Sequence, residues 1–348
     1  MRATLIHGPG DIRSEHVPDP ELVDDGDAIV RVVAACVCGS DLWPYRGDKS
    51  DTEPERIGHE FVGIVEQVGN AVSALTVGDF VVAPFVYSDG TCAHCRNGVN
   101  TSCVAGGFWG KPAGDGRLID GGQGEQVRVP FADQTLVATP GEPPAAMVPA
   151  LLGLSDVMGT GHHAAMAAGV RAGGSAVVVG DGAVGLCGVL AARRLGAERI
   201  IAMSRHAPRQ EVARAFGATD IVEARGDDGV KAVMDLTDGI GADSVLECVG
   251  TGGSMQQAIA STRPGGHVGY VGVPHDVVLP IGTMFGNNVS VGGGVAPVRA
   301  YLAELMPEVW EKRLDPSPVF DLELPLDRVA EAYAAMDERR AIKSLLWA

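Results

Sequence analysis

No run of lysine or arginine interrupts the acidic balance of this 348-residue chain: 27 basic residues stand against 44 acidic ones, a net charge of −17. Such a chain has no electrostatic means of holding a nucleic-acid backbone or an anionic membrane surface, and neither is expected as a partner. Cysteine is scarce, with seven in all, an odd number. That argues for free thiols and metal ligands in a reducing compartment and against a disulfide framework. Long apolar runs are missing too: no stretch free of Gly and polar residues is long enough to span a bilayer. The opening Met1-Arg2-Ala3-Thr4-Leu5-Ile6-His7-Gly8 also lacks the apolar core of a signal peptide. The expected location is the cytoplasm.

What is present is enough apolar material, 46% of the residues, for more than one core, and the length implies two domains. Up to about residue 150 the chain is rich in Val, Gly, Pro and Asp. Short apolar or alternating runs, Ala28 to Val37, Gly63 to Val68 and Asp79 to Ala83, stand between turn clusters, which reads as an irregular β-rich domain. From about Leu151 helix-like and strand-like segments alternate: Ala164 to Ala168, Ala176 to Val179, Val184 to Leu195, Ile200 to Met203, Gln210 to Phe216, Asp243 to Val249, Met255 to Ser261 and His267 to Val273. Alternation of this kind implies β-α-β units and a parallel sheet. Helical Val298 to Val309 and Leu326 to Glu338 follow, then a strand-like Ile342 to Trp347.

The second region is organised around Gly180-Asp181-Gly182-Ala183-Val184-Gly185, which follows an apolar strand and opens an Ala/Leu-rich helix. Gly180 permits the tight turn, Gly182 lets the backbone approach a pyrophosphate, and Gly185 lets the helix pack on its strand. Phosphate would sit on the helix N-terminus, where free N–H groups and the macrodipole favour an anion. The next strand delivers Ser204-Arg205-His206 at the point where NAD-specific folds place an acid on the ribose 2′-OH. No acid stands there in the sequence, and Ser204 and Arg205 are suited to a 2′-phosphate, so NADP(H) is the expected cofactor.

The first region carries two groups of metal-ligand side chains. Cys38-Gly39-Ser40-Asp41 and Gly58-His59-Glu60, with Asp156 far downstream, offer a thiolate, an imidazole and a carboxylate. Three protein ligands and one open position describe a catalytic zinc. Taken alone, Cys38 could equally be a buried strand thiol like Cys36, and His59 a turn residue. Asp89, Cys92, Cys95 and Cys103 place three thiols and a carboxylate close together, as a closed structural zinc requires. His94 is a rival fourth ligand, but between two ligating cysteines it would have to fold back.

Along nearly its whole length the chain resembles the zinc-dependent alcohol dehydrogenases of the medium-chain dehydrogenase/reductase superfamily, and in particular an NADP-preferring bacterial branch. The motifs that carry the resemblance are Cys38-Gly-Ser-Asp41, Gly58-His59-Glu60, the 89/92/95/103 spacing, Asp156 with Thr160 and Gly161, and the glycine motif. It implies an α/β protein in which a GroES-like β-rich catalytic domain is made from both ends of the chain, residues 1–155 and 296–348. A doubly wound, parallel-sheet Rossmann domain for NADP, residues 156–295, is inserted between them. Cys38, His59 and Asp156 would ligate the catalytic zinc, with Asp156 where many members place a second Cys. Glu60 would approach the metal during ligand exchange, Asp41 would orient His59, and Ser40 would take the alcohol proton. Thr160 would pack on the nicotinamide, Val271 would line the cofactor together with Gly180, Gly182, Ala183, Val184 and Gly185, and Lys343 would reach the pyrophosphate.

One departure concerns Trp43, which stands where many members carry a relay His; an indole N–H donates but cannot accept and pass a proton. Protons would leave through the cofactor ribose and water, or through a group such as His162 or His163. Trp43, Phe85 and Trp109 are expected to line an apolar substrate pocket. The implied activity is hydride transfer between NADP(H) and a small alcohol, ketone or aldehyde, in a homo-oligomer, a tetramer more than a dimer. The alternatives are a polyol or sugar dehydrogenase of the same superfamily and a non-catalytic NADP-binding redox sensor.

Overall fold

The computed structural model describes residues 1–47, 54–114 and 116–348, and divides the chain into two compact units. The first comprises Met1–Asp156 and Pro297–Ala348; the second is Val157–Ala296.

The first unit is built on a seven-stranded sheet whose centre is the strand Ala28–Cys36. Its sequence, apolar at nearly every position, suits a strand covered on both faces, and eight of its nine side chains are buried or half-buried. Phe61–Val68 pairs antiparallel along one side, with Ala35 opposite Phe61. Along the other side runs Lys343–Trp347, also antiparallel, with Leu345 opposite Cys36. Both ends of the chain therefore share one sheet. Val30, Phe61, Val81, Tyr87, Trp109 and Val127 fill one core of this unit. A second core joins Ile6, Val37 and Leu42 to Val329, Tyr333 and Leu346.

The second unit carries a six-stranded, all-parallel sheet in the order Asp220–Val222, Arg199–Met203, Ser175–Val179, Ala242–Glu247, Thr262–Tyr270 and Ser290–Gly293. Strands are added outward in both directions from Ser175–Val179, which is the doubly wound arrangement with its switch point after that strand. Val177, Val179, Ile201, Met203, Val245 and Val268 form its buried apolar face, each side chain contributing roughly 1.5–3 kcal/mol relative to exposure. Among the described residues no helix is long and apolar enough to cross a membrane.

Candidate metal centres and cofactor site

Strand pairing assembles the first cluster. Cys38 lies two residues beyond Ala28–Cys36, and His59 and Glu60 immediately precede the strand paired to it, so the ends of two neighbouring strands meet; the Cys36 N–H donates to the Glu60 carbonyl at 3.3 Å. Asp156 arrives from beyond the helix Val148–Gly153, with its approach fixed by the bond from Phe85 N–H to the Ser155 carbonyl at 3.0 Å. Cys38 Sγ is 3.8 Å from Asp156 Oδ2, and His59 Nε2 is 3.6 Å from the same oxygen. Ligand atoms on a tetrahedral zinc are separated by roughly 3.3–3.6 Å, given metal bonds of about 2.0–2.3 Å. The spacing fits a metal with little adjustment.

Glu60 belongs to the same cluster: its Oε1 is 4.0 Å from His59 Nε2, and its Oε2 is buried without a partner among the described residues. Burial pushes the Glu60 carboxyl up, against the pull of Lys343. Burial also raises the Cys38 thiol, with the Glu60 charge adding to it. Burial works to lower His59, but the Asp41 and Cys38 charges outweigh it and hold the imidazole well above its ordinary value. Several acids facing one imidazole form a donor set that a divalent cation would neutralise.

Behind the ligands lies an orienting chain. Asp41 Oδ1 is 3.2 Å from His59 Nδ1, while its Oδ2 accepts from the Cys38 N–H at 3.0 Å and from Gln123 Nε2 at 3.3 Å. Gln123 Oε1 accepts from the Tyr333 hydroxyl at 3.1 Å. Asp41 thus sets the His59 tautomer and leaves Nε2 facing the cluster. Gln123 and Tyr333 are functional neighbours that sequence reading misses: one stands in a glycine-rich turn, and the other reads as an apolar helix position.

Asp89, Cys92, Cys95 and Cys103 form the second cluster, with ligand atoms within 4.8 Å of one another and His94 not among them. Asp89 Oδ1 accepts from the N–H groups of Thr91 and Cys92 at 2.8 and 3.0 Å, which turns the loop back on itself. Burial works to raise Asp89, but those backbone donors hold it down at about 2. Backbone N–H groups of Cys95 and Val104 draw Cys92 down to about 7. Cys95 is pushed up to about 12 by burial and by the neighbouring Cys103, Cys92 and Asp89. Two readily ionised donors, Asp89 and Cys92, beside two thiols that resist ionising form a donor set that a cation could hold together.

Three of the expected roles change. Lys343 is 1% exposed, and its Nζ donates to Glu60 Oε1 at 2.7 Å and to the Val37 carbonyl at 3.1 Å, so its ammonium is committed beneath the metal cluster and is not free for a pyrophosphate. Trp109 is a core residue: it packs edge-on against Phe61 at 5.1 Å and donates its indole N–H to the Pro84 carbonyl at 2.8 Å. Ser204 does not present a free hydroxyl, because it is buried and donates to Asp181 at 2.8 Å.

Phe85 does lie at the cluster, edge-on to His59 at 6.4 Å, and it stacks on Phe108, an exposed aromatic that no motif in the sequence marks. Trp43 is half-buried on the helix Leu42–Arg46, and Ser40 is exposed on the turn Gly39–Asp41.

In the second unit Gly180, Ser204 and Val271 each follow the C-terminal end of a parallel strand, and Thr160 lies on the helix Val157–Ala167. Gly180 has φ +115°, and a Cβ at Gly185 would stand 2.1 Å from the Gly180 carbonyl, so both positions require glycine. A Cβ at Gly182 would meet no protein atom within 4 Å. Gly182 is also the N-cap of the helix Ala183–Arg194 and has no side chain to cap it. Open space in front of an uncapped helix start fits a phosphate group.

Residues 24–141 match the family described as alcohol dehydrogenase GroES-like domain, and residues 183–311 match that described as zinc-binding dehydrogenase. The chain is 35% identical over 342 residues to a “Probable zinc-binding alcohol dehydrogenase” of Mycobacterium tuberculosis, covering 97% of this chain and 86% of the relative. It is 30% identical to zinc-type alcohol dehydrogenase B of Aspergillus flavus over 99% of this chain and 80% of that one. Among solved structures, an alcohol dehydrogenase from Thermus sp. superposes with a TM-score of 0.92 at 33% identity, covering 100% of this chain and 99% of the other. The chain is an oxidoreductase of the medium-chain dehydrogenase/reductase superfamily. Within it, the chain belongs to the zinc-dependent alcohol dehydrogenases, pairing a GroES-like domain with a Rossmann domain.

Proposed function

We propose that the protein transfers a hydride between NADP(H) and a small, largely apolar alcohol or ketone. The first unit would hold a catalytic zinc on Cys38, His59 and Asp156, and the second would hold the cofactor. The observation that carries this reading is the Cys38, His59, Asp156 and Glu60 cluster, in which Asp41 fixes His59 from behind.

When bound, zinc supplies Lewis acidity toward an alcohol or carbonyl oxygen, and the nicotinamide supplies the hydride carrier. The chain's own residues do the positioning. Asp41 keeps the His59 proton on Nδ1 and Nε2 open. Ser40, exposed beside the cluster, is the hydroxyl proposed to take the alcohol proton. Lys343 holds Glu60 to one side through Oε1. Phe85 and Phe108 give one flank an apolar aromatic surface, which favours apolar substrates over polyols. Sorbitol dehydrogenase of Bacillus subtilis is nonetheless a relative at 30% identity over 82% of this chain and 78% of that one.

Cofactor preference rests on Arg205, which is exposed and makes no hydrogen bond or ion pair among the described residues, so its guanidinium is available to a 2′-phosphate. A second zinc is proposed for Asp89, Cys92, Cys95 and Cys103. A reducing, cytoplasmic setting is proposed, since seven cysteines, an odd number, suit thiols and metal ligands better than a disulfide framework. The edge strand Ser290–Gly293, near exposed Ile281, Phe285 and Val295, supports association of copies of the chain, with four expected by sedimentation.

The test is oxidation of NADPH and NADH with a panel of ketones and polyol-derived ketoses, before and after chelation. Turnover favouring NADPH by at least ~10-fold, about 1.4 kcal/mol, and lost on chelation is the expected result. Turnover with ketoses alone would favour a polyol dehydrogenase. Cofactor binding with no turnover on any substrate would favour a redox sensor.

A further inference from the structure

The nucleotide corner of the second unit contains a carboxylate that sequence distance conceals. Asp181 stands inside the glycine motif, yet its side chain turns to the end of the neighbouring strand, 23 residues further along: Ser204 Oγ donates to Oδ2 at 2.8 Å. Arg209, on the helix Ala207–Phe216, brings Nη1 to 3.4 Å from Oδ1 and 3.3 Å from the Asp181 carbonyl oxygen. Ser204 is 1% exposed and Asp181 9%, so the pair lies almost wholly out of solvent.

In doubly wound folds an acid at the end of the second strand accepts the ribose 2′-OH and disfavours a 2′-phosphate. Here Arg199–Met203 is followed by Ser204-Arg205 and carries no such acid. The first strand-to-helix turn delivers one to the same place. Three effects follow together: a carboxylate stands against Ser204 (the residue before Arg205), the Ser204 proton is committed, and Arg209 is drawn toward Asp181.

We infer that Asp181 is a specificity-determining residue for the cofactor: by holding Ser204 and Arg209 it restrains the preference for a 2′-phosphate and keeps the non-phosphorylated cofactor usable. The inference rests on the reading of Arg205 above for its starting point, but the direction of the effect is its own.

The probes are 2′,5′-ADP and 5′-AMP, which differ only in the 2′-phosphate and need neither zinc nor turnover. Calorimetric titration of the full chain gives the ratio of their dissociation constants for wild type, Asp181→Asn, Arg209→Gln and the double variant. Asp181→Asn is expected to raise the preference for 2′,5′-ADP by at least ~5-fold, because removing one charge near the phosphate is worth about 1 kcal/mol even in a wet site. Adding Arg209→Gln should remove much of the gain, and the NADPH-to-NADH ratio of kcat/KM should move with the binding ratio. A wild type that binds both probes equally defeats the NADP reading, while the shift in Asp181→Asn still decides the role of Asp181. A ratio unchanged within ~2-fold in a folded Asp181→Asn makes Asp181 a structural tie and overturns the inference. If Asp181→Asn does not fold, Asp181→Ser takes its place in the same comparison.

Discussion

Lys343 Nζ lies 2.7 Å from Glu60 Oε1, and both side chains are shut off from solvent, at 1% and 0% exposure. The pair ties the last strand of the chain to the residue after His59, directly behind the metal cluster. A buried pair of this kind is costly to break, since the survivor keeps its charge without a partner.

Lys343→Met should therefore destabilise the fold by about 3–5 kcal/mol, and Lys343→Met with Glu60→Gln should recover most of the loss. Thermal or denaturant unfolding of both variants checks this. An unchanged melting temperature in Lys343→Met would show that the pair contributes nothing.

Much of the site was legible because its signals are local. Cys38-Gly-Ser-Asp41, His59-Glu60 and the three close cysteines are short motifs, and the strands beside them are apolar enough to be read directly. The glycine motif was legible for the same reason: the constraints on Gly180 and Gly185 are set by a single turn. What could not be read is what pairing register decides. The family resemblance assigns Lys343 to the pyrophosphate, but the antiparallel register of Lys343–Trp347 with Ala28–Cys36 turns it beneath Glu60. Asp181 and Ser204 meet only because parallel pairing aligns Val179 with Met203. The choice between pocket and core for Trp109 likewise depended on where Phe61 and Pro84 fall in three dimensions.

Cys95→Ala should leave one zinc per chain where the wild type is expected to hold two, and should lower the melting temperature, because a closed site stabilises the fold that forms it. Elemental analysis alongside thermal unfolding measures both. One zinc per chain in carefully prepared wild type would mean that the lobe is empty.

Acid should act on the second unit through Asp243. Burial works to raise this carboxyl, but the N–H and hydroxyl of Ser175 and the guanidinium of Arg263 hold it at about 2, below an ordinary value of 3.8. The folded value is the lower one, so the stabilisation is complete above the unfolded value and fades as pH falls from about 4 toward about 2. Asp243→Asn should be less stable than wild type at neutral pH, with the difference narrowing over that window. Parallel pH-stability curves would contradict this.

Cys38, His59 and Asp156 are the residues proposed to form the catalytic metal site. Zinc content, NADPH affinity and turnover of Cys38→Ser, measured on one preparation, test it most directly. One zinc per chain retained, cofactor affinity close to wild type and turnover lost are the expected results. Turnover at more than a small fraction of wild type would contradict it.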